Sequence, residues 1–551
     1  MDLVVAAGPL VVLVVGVTVA GWAVPRAATV ALVTVVAAAW WWDVTAATLV
    51  GSTLRGLFIA VEILVLVVGA LAIVALLERL DLFTPIRARL AAISGDHRVQ
   101  TLVIAFAMVS VIEGAAGFGT PALFAIPLLV ALGFAPVHAV VLALVGDSIP
   151  VVFGAVGVPV TLGVGSVLAP LTPDAAAITD DAAAAAALLN IFGAVIVANV
   201  LVWLSVRFRG EPRRAAVEMV PFATMAGLAV AVPAWAVAVT LGPALPSIIG
   251  GLVGLVALSL LARHGLLLPA GARAQPAPPA VGPADAPVAA GPTPAAEAAR
   301  TDEIFGAPGR PPTLVRALVP YLCLVALLVV TRMPLFGLDD WFADQAVELA
   351  GLAGSDVDYR IAPLVSPAIA LAVVAVVSVL ALGADLADGR RALIADVFQR
   401  TVAPAMALVP VLVFVQIFVN STPDAGDPAT MPAVIAERLG DVVGGGWPLV
   451  GPAVGALGSF VSGSATVSNL VFTGLVHDVA IASDLDVADT VALQMNGAAM
   501  GNMVALHNVI AALTVAGLGH DRTRDVLRHT AVPMAALVAI FGLIGWFVSL
   551  G

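Results

Sequence analysis

Apolar residues run along most of the 551-residue chain in stretches of about 20, the length that an α-helix needs to cross a bilayer. Gly, Pro and charged residues separate these stretches, and the short alternating strands of a membrane β-barrel do not occur. The pattern predicts an all-α polytopic membrane protein with about 12 transmembrane helices. The predicted spans lie near 3–24, 27–42, 57–78, 139–168, 187–206, 216–241, 244–263, 314–333, 361–383, 396–418, 490–517 and 530–550.

Two pairs of apolar segments are too short to be counted among these spans. The segments are 99–112 and 121–134, then 448–461 and 467–480, and each has 14 residues. Such a helix is about 21 Å long, whereas the hydrocarbon core is roughly 30 Å thick. The first pair is separated by "EGAAGFGT", which is rich in Gly, and the second pair by "SGSAT", which is rich in Ser. We therefore predict two re-entrant hairpins, the first hairpin at 99–134 and the second hairpin at 448–480.

An interrupted helix follows each predicted hairpin. The interruptions are "VGDSIPVVFGAVGVP" (145–159) and "QMNGAAMGNMVALHN" (494–508), both rich in small and polar residues. Paired hairpins with interrupted helices are typical of secondary transporters, which build a substrate site near the bilayer midplane from such elements.

Loop charge predicts the orientation. Arg is concentrated in loops 79–98, 207–214, 384–395 and 518–529, and the loops between them are acidic. An excess of Arg marks cytoplasmic loops. With both hairpins re-entrant, the signs alternate correctly, both termini lie outside, and the two hairpins enter from opposite sides as an inverted repeat. Two full spans in place of a hairpin would preserve the alternation, so helix length decides between them.

Composition agrees with a membrane protein and excludes several other classes. Apolar residues make up 61% of the chain and charged residues 11%, with a mean hydropathy of +1.10; soluble domains carry about 25% charged residues. The single Cys323 excludes an intramolecular disulfide and offers no metal cluster. No basic, aromatic-interleaved segment indicates nucleic-acid binding. We expect no cofactor, a position in the cell membrane, and a lipid bilayer and a small organic anion as partners; a homo-oligomer is compatible with the sequence.

A Pro- and Ala-rich segment divides the chain into halves. Residues 264–313 bury little apolar surface and lack helical donors at many positions, so they are predicted to form a cytoplasmic linker. The N-terminal membrane half is then 1–263, and the C-terminal half is 314–551.

The two hairpin tips are the predicted substrate site. Irregular backbone at membrane depth survives only against protein or a water-filled cavity, and helix N-termini that meet there favour an anion. Close packing of helices is the alternative explanation for the glycines, and a polar helix break is the alternative for His507. The candidate substrate-binding residues are Gly117, Gly119, Thr120, Ser462, Ser464, Thr466, Ser468, Asn469, Asn502 and His507.

Two carboxyl groups are the candidate proton carriers. Glu113 and Asp147 lie at the first tip and at the first interruption, where an acid within the membrane tends to be protonated, paired or hydrated. Each residue also has a structural alternative to proton transfer. Glu113 could cap the half-helix, and Asp147 could hydrogen-bond backbone at the break. Glu62, in the third span, suits a helix-packing or interfacial role as well as a functional one. The pattern predicts that four amide residues either line a cavity or join helices: Asn190, Asn199, Gln416 and Gln494.

These residues resemble the lactate permease family, whose members carry L-lactate and glycolate with protons. The resemblance rests on "RVQTLVIAFAMVSVIEGAAGFGTPALFAIPLLVALGFAPVHAVVLALVGDSIPVVFGAVGVP" (98–159), "GALGSFVSGSATVSNLVFTGL" (455–475) and "GNMVALHNVIAA" (501–512). Two positions depart from the family pattern, which has Asn where Asp147 and Ala465 stand. Both departures touch the predicted site and bear on substrate identity more than on mechanism.

The resemblance implies a secondary transporter that imports L-lactate or a similar 2-hydroxymonocarboxylate, such as glycolate, by proton symport. A sodium-coupled carrier of other organic acids, such as dicarboxylates, is the alternative, although neither tip contains the Arg that a dicarboxylate would favour. An intramembrane enzyme is disfavoured because the chain has no HExxH pattern and its seven His are scattered. A channel is the remaining class, which two occluding tips suit less well than alternating access.

Overall fold

A computed structural model shows a bundle of α-helices. It describes residues 2–79 apart from 19, 21 and 23, then 93–117, 120–269, 345–361, 372–378, 390–422 and 430–549, with single positions between 319 and 341. Of the predicted linker, residues from 270 onwards lie outside the described ranges, as do most of the predicted spans 314–333 and 361–383.

The N-terminal half contains helices of very different length. They are α1 (Asp2–Thr18), α2 (Val24–Trp41), α3 (Ala46–Arg79), α4 (His97–Leu102), a π-helical turn (Val103–Met108), α5 (Val109–Ala116), α6 (Thr120–Ala131), α7 (Pro136–Asp147), a 3-10 turn (Pro150–Phe153), α8 (Gly154–Val160), a second π-helical turn (Thr161–Gly165), α9 (Ser166–Leu168), α10 (Ala175–Phe208), α11 (Arg213–Val217), α12 (Val220–Leu241) and α13 (Pro246–Arg263).

The C-terminal half also consists mainly of helices of different length. Its described elements are strands β1 (Val347–Leu349) and β2 (Tyr359–Ile361), which pair antiparallel, then α14 (Arg390–Val419), α15 (Met431–Val443), α16 (Trp447–Ser462), α17 (Ala465–Ala482), α18 (Val487–Gly501), a 3-10 turn (Asn502–Val504), α19 (Leu506–Val515) and α20 (Thr523–Ser549).

The outer surface of the bundle is apolar, as expected for contact with lipid. Large side chains such as Trp40, Val4 and Phe547 are 88%, 75% and 71% exposed, which a soluble protein avoids in contiguous patches. Within the described residues, seven helical stretches are long and apolar enough to cross a membrane, and four apolar helices are shorter. The prediction of an all-α polytopic membrane protein is confirmed.

The first hairpin is a helical pair, and its first arm is longer than predicted. The arm runs through 97–116, about 30 Å, instead of ending at residue 112. Glu113 and its alanine neighbours favour helix, and Gly114 stays helical where it packs against Ser247 and Ile248. The second arm, α6, has 12 residues and is about 18 Å long. Helix length therefore supports a half-crossing for the second arm only.

The two arms begin and end on the same face of the bundle. The rings of His97, in the first turn of α4, and Phe134, just after α6, have centroids 6.1 Å apart. Arg98 donates from Nη1 to the carbonyl oxygen of Ala215 at 2.8 Å, and Arg209 donates to the carbonyl oxygen of Leu132. Both ends of the first hairpin are thus held by residues 209–215.

An ion pair fixes the entry to the first hairpin. Asp96 caps α4 by accepting a hydrogen bond from the Arg98 backbone N–H at 2.8 Å, and it also accepts one from Arg98 Nε at 3.0 Å. Burial alone would raise the pKa of Asp96, but the hydrogen bonds and charge of Arg98 hold that pKa below its usual range. The contribution to stability is therefore present at neutral pH and is lost only as the pH falls through this lowered pKa.

The second hairpin consists of α16 and α17, with 16 and 18 residues. Both arms are longer than the predicted 14 residues because helix continues at each outer end and begins at Ala465 after the tip. The arms pack along each other: a Cβ on Gly458 would overlap Ser468, and it would lie 2.9 Å from the ring of Phe472.

Three of the Arg-rich loops lie close together. His97 lies 3.6 Å from Glu211, and the ring of Phe208 lies 5.2 Å from that of His529, so three Arg-rich loops share one face. Near the middle of α3, Tyr359 of the β-hairpin donates to Glu62 at 3.0 Å. Glu62 therefore holds the acidic loop region onto α3.

Candidate functional site

The first tip is a turn at Gly117, where α5 ends. Gly117 has φ +58° and donates its N–H to the carbonyl oxygen of Glu113 at 2.9 Å. A Cβ at this glycine would lie 2.9 Å from the Cβ of Ala155, so the tip approaches α8 closely. Of the other predicted residues here, Gly119 lies outside the described residues, and Thr120 begins α6 with its side chain also outside them.

The structure brings the two predicted carboxyl groups together. Glu113 and Asp147 are 5% and 7% exposed, and they lie close enough for their charges to interact. Glu113 Oε1 lies against Gly154, where a Cβ would overlap it. Among the described residues, Glu113 Oε2 and Asp147 Oδ1 are buried without a hydrogen-bond partner. An ionised carboxylate in such surroundings is costly, so this pair is suited to hold and exchange a proton.

The predicted interruption at 145–159 is confirmed, and other helices stabilise its backbone. Asp147 is the last residue of α7. The carbonyl oxygens of the following residues Ile149 and Pro150 accept hydrogen bonds from Asn190 Nδ2 at 3.2 Å and from Ser247 Oγ at 2.8 Å. Asn190 thus joins helices, which is one of the two roles that the sequence predicts for it.

Backbone strain accompanies this first break. Ala155, Val156 and Gly157 have φ of 45°, 58° and 79°, which is the left-handed region. For a β-branched residue such as Val156 this conformation is a genuine outlier. Strain of about 1–3 kcal/mol per residue persists where the surroundings hold it, and it clusters at ligand sites and switches.

A small cavity lies beside the first break, at Ile149 and Pro150. Its polar lining comes from Ser110, Asn190 and Ser247, and its volume is about 20 Å³. Asn190 Oδ1 is buried without a partner among the described residues. A polar cavity of this size accommodates one water molecule, which would satisfy that oxygen next to the break.

The second tip turns at Gly463, and its hydroxyl groups are used within the hairpin. Ser462 donates to the carbonyl oxygens of Gly458 and Ser464 at 2.8 and 3.0 Å. Ser464 caps α17 by accepting from the N–H of Val467 at 3.4 Å. Both predicted ligands therefore shape the tip in this conformation.

Two further predicted residues of the second hairpin are buried at the start of α17. Thr466 is 5% exposed, and Ser468 donates to the carbonyl oxygen of Gly455 at 2.8 Å. Ser468 therefore ties the two arms of the second hairpin together.

Asn469 connects the two halves of the protein. Its Nδ2 donates to the carbonyl oxygen of Pro159 at 2.8 Å, and its Oδ1 accepts from Gln494 Nε2 at 3.1 Å. A Cβ at the neighbouring Gly163 would lie only 3.0 Å from the Cβ of Asn469, so the backbone there approaches Asn469 closely. The second hairpin thus meets the N-terminal half at 159–163.

The packing of the hairpins is reciprocal. The second arm of the second hairpin, α17, packs on α8, α9 and the π-helical turn between them. The second arm of the first hairpin, α6, packs on α19. Each hairpin therefore lies against the interrupted helix of the opposite half, and both hairpins contact residues 154–163.

The second interruption falls within the predicted 494–508. Helix α18 ends at Gly501, and a 3-10 turn at Asn502–Val504 leads into α19. Asn508 Nδ2 donates to the backbone oxygen of Asn502 at 3.2 Å and to its Oδ1 at 2.6 Å. Asn502 therefore stabilises the break, and the side chain of His507 lies outside the described residues.

The sequence prediction missed several residues that build this site. Gly154 and Ser247 lie against Glu113 and Pro150, 41 and 97 residues away along the chain. Ser459, buried in α16 with its hydroxyl unpartnered among the described residues, was also not predicted. The one signal in the sequence that could have indicated Ser459 was its place in the Ser-rich stretch 455–475. Within the described ranges, no three His, Cys, Asp or Glu residues are grouped as a metal site.

Comparison with known proteins identifies the family. The model of the L-lactate permease family matches residues 2–550. A putative L-lactate permease of Haemophilus influenzae is 28% identical over 82% of this chain and 81% of its own length. An L-lactate permease of Bacillus subtilis is 26% identical over 81% and 78%, and a glycolate permease of Escherichia coli is 28% identical over 84% and 80%.

No solved structure matches the chain. Permeases are membrane transporters and not enzymes, which agrees with the apolar helices and the interrupted spans described above. The match extends over both hairpins, both interruptions and nearly all of the remaining sequence. This chain belongs to the L-lactate permease family.

Proposed function

We propose that this protein imports L-lactate, or a similar 2-hydroxymonocarboxylate such as glycolate, together with a proton. The observation that carries the proposal is the buried pair of carboxyl groups of Glu113 and Asp147 at the meeting point of a hairpin tip and a broken helix, where each has one oxygen without a partner among the described residues. Relatives named for L-lactate and glycolate support the substrate class.

Both hairpins are re-entrant in this proposal, with two inverted repeats around a midplane site. The first tip contacts Ala155 and the second hairpin contacts Pro159, both near the middle of the interrupted crossing 136–168. A hairpin that crossed the whole bilayer would instead place its tip near one end of a neighbouring span. The short α6 supports the same reading.

Proton binding prepares the site for an anion. With Glu113 and Asp147 both ionised, two negative charges would repel an incoming carboxylate in a medium of low dielectric constant. Protonation of one of the two groups lowers that repulsion, so the proton and the anion bind favourably together and cross as a neutral pair. Neutral transport also suits tips in which the sequence places no Arg.

Alternating access follows from the reciprocal packing. Because each hairpin lies on the interrupted helix of the other half, a rigid-body movement of one half shifts the second hairpin relative to residues 159–163 and the first hairpin relative to α19. The left-handed residues Ala155–Gly157 are the natural position for a hinge, since they already hold strained backbone. The Arg-rich face is cytoplasmic in this scheme, and both termini are outside.

Uptake by reconstituted vesicles tests the proposal. Radiolabelled lactate, glycolate and succinate are offered under an imposed proton gradient or an imposed sodium gradient, with the external pH recorded. We expect lactate uptake to follow the proton gradient, to make the external medium alkaline and to ignore sodium. Uptake that follows sodium and ignores pH would overturn proton coupling and favour the sodium-coupled alternative, and single-channel currents would overturn the carrier mechanism.

A further inference from the structure

The two hairpins share one backbone feature that aligns the ends of their first arms. In the first hairpin, Gly117 donates its N–H to the carbonyl oxygen of Glu113 at 2.9 Å. In the second, Gly463 (φ +74°) donates its N–H to the carbonyl oxygen of Ser459 at 2.8 Å. Each acceptor lies four residues before a left-handed glycine that ends the first arm. Ser459 therefore occupies in the second hairpin the position that Glu113 occupies in the first.

The Ser459 hydroxyl is fully buried and has no partner among the described residues. Buried Ser in a helix usually donates to the carbonyl oxygen four residues earlier, as Ser110 does to Phe106 and Ser462 does to Gly458, both at 2.8 Å. For Ser459 that acceptor belongs to Gly455.

The usual acceptor of Ser459 is already occupied. The carbonyl oxygen of Gly455 accepts the hydroxyl of Ser468 at 2.8 Å, in addition to its position in the α-helical ladder. The hydroxyl of Ser459 is thereby left free to donate elsewhere. Buried polar groups in native proteins rarely stay unpaired, and those that do call for a ligand, an ion or water.

The direction of the side chain follows from its helix face. Gly455 and Ala456 pack on α18, where a Cβ on Gly501 would overlap the carbonyl oxygen of Ala456. Ser459 lies one turn further along this face. Since α16 also packs on Asn502–Val504, Ser459 lies level with the second break, just as Glu113 lies against the first break at Gly154.

We propose that Ser459 is a substrate-binding residue whose hydroxyl donates a hydrogen bond to the carboxylate of the transported acid. This inference rests on the function proposed above. The carboxylate of the substrate is expected to lie away from Glu113 and Asp147, and Ser459 supplies a neutral donor at the equivalent position of the opposite half. Ser462, Ser464 and Ser468 already donate or accept within the hairpin, whereas Ser459 has its donor free.

Transport kinetics of Ser459→Ala test this inference in vesicles that contain the full chain. We expect the KM for lactate to rise about tenfold or more, because a hydrogen bond to a charged group is lost, while the ratio of protons to lactate stays unchanged. Ser459→Thr, which keeps the hydroxyl, should restore most of the affinity. Ser205→Ala is the matched control, since Ser205 is equally buried but donates to Val202 at 2.8 Å, and its KM should remain that of the wild type.

Propionate, which lacks the 2-hydroxyl, separates the two polar groups of the substrate. The KM for propionate should rise in Ser459→Ala by the same factor as the KM for lactate. A rise for lactate alone would place the contact at the 2-hydroxyl and overturn the carboxylate assignment, and a KM equal to that of Ser205→Ala would overturn the role altogether. If Ser459→Ala does not fold, Ser459→Cys, of similar size but a weak donor, is judged by the same criteria.

The wild-type measurement keeps this inference separate from the proposed function. If the wild type transports none of the acids, the proposed function fails before any variant is compared. If the wild type transports lactate and Ser459→Ala has an unchanged KM, only the inference about Ser459 fails.

Discussion

The two hairpins share one backbone hydrogen bond at the tip and differ in chemistry. Each first arm ends at a left-handed glycine, Gly117 or Gly463, bonded to the carbonyl oxygen four residues earlier. That earlier residue is Glu113 in the N-terminal half and Ser459 in the C-terminal half. One half thus presents a group that can carry a proton, and the other presents a neutral hydroxyl. In the proposed mechanism, the first hairpin would therefore supply the proton carrier and the second a neutral hydrogen-bond donor.

The interrupted helices extend this comparison. The first break contains three left-handed residues, Ala155–Gly157, and relies on side chains from α10 and α13 for its hydrogen bonds. The second is a short 3-10 turn that Asn508 and Asn502 satisfy locally. The first break is therefore the more strained and the more dependent on its neighbours, so we expect it to respond more to mutation.

The largest expected effect comes from Glu113→Gln, which keeps the shape of the side chain and removes its exchangeable proton. We expect lactate accumulation driven by a proton gradient to fall by about 100-fold or more, in line with the loss of a positioned proton-transfer group. Uptake into vesicles with and without the gradient measures this. Glu62→Gln is the control, because Glu62 is a carboxyl group of another helix, α3, that bonds Tyr359 of the β-hairpin; equal losses in both variants would contradict the role of Glu113.

Gly146→Ala and Gly497→Ala compare the contacts between each first arm and the helix after it. A Cβ would overlap the carbonyl oxygen of Ala105 at Gly146 and that of Pro452 at Gly497. Overpacking typically costs about 1–3 kcal/mol, and overlap with backbone lies at the upper end. We expect thermal unfolding in detergent to shift down for both variants by similar amounts. Gly8→Ala is the control, since nothing lies within 4 Å of a Cβ there. An equal downward shift of the unfolding temperature for Gly8→Ala would contradict overpacking as the cause.

Asn469→Ala tests the connection between the halves. It leaves the carbonyl oxygen of Pro159 and Nε2 of Gln494 without their partner, at a cost of about 1–3 kcal/mol for each buried group. We expect lower thermal stability and a slower exchange of lactate. Asn199→Ala removes an amide whose bonds to Val195 and Thr224 stay within the N-terminal half, so it should lower stability without slowing exchange. Identical exchange rates in the two variants would contradict the connection.

The smallest effect is expected at the start of the second broken helix. Asp486 caps α18 by accepting from the N–H of Asp489 at 2.9 Å, whereas the first broken helix starts with Pro136 and no side-chain cap. Asp486→Ala should lower the free energy of unfolding by about 1 kcal/mol and leave transport unchanged. Asp486→Asn retains the cap and should match the wild type; a loss as large as that of Asp486→Ala would show that charge, and not capping, matters there.

Local signals in the sequence were sufficient for the class of fold and for the position of the breaks. Long apolar runs predict helices in lipid, and Gly, Pro and Asn at 145–159 and 494–508 predict interruptions that the structure confirms. The ends of the arms were less predictable. A Gly-rich stretch weakens helix by propensity alone, yet packing of Gly114 against Ser247 and Ile248 keeps the first arm helical to Ala116.

The residues of the site divide in the same way. Glu113 and Asp147 were predicted because a carboxyl group within an apolar run is conspicuous. That they lie together depended on the packing of the first tip against the first break. That Ser462, Ser464 and Ser468 use their hydroxyls inside the hairpin depended on hydrogen bonds that no pattern predicts.

The sequence by itself determined that this protein is helical, lies in a membrane and repeats a hairpin with a broken helix, because hydropathy and backbone preference act between neighbours in the chain. Only the tertiary structure decided which groups meet. Asn469 reaches Pro159 across 310 residues, and Ser459 loses its usual acceptor to Ser468. Such contacts depend on how whole helices pack, and the energy of packing is shared among many residues that are far apart in sequence.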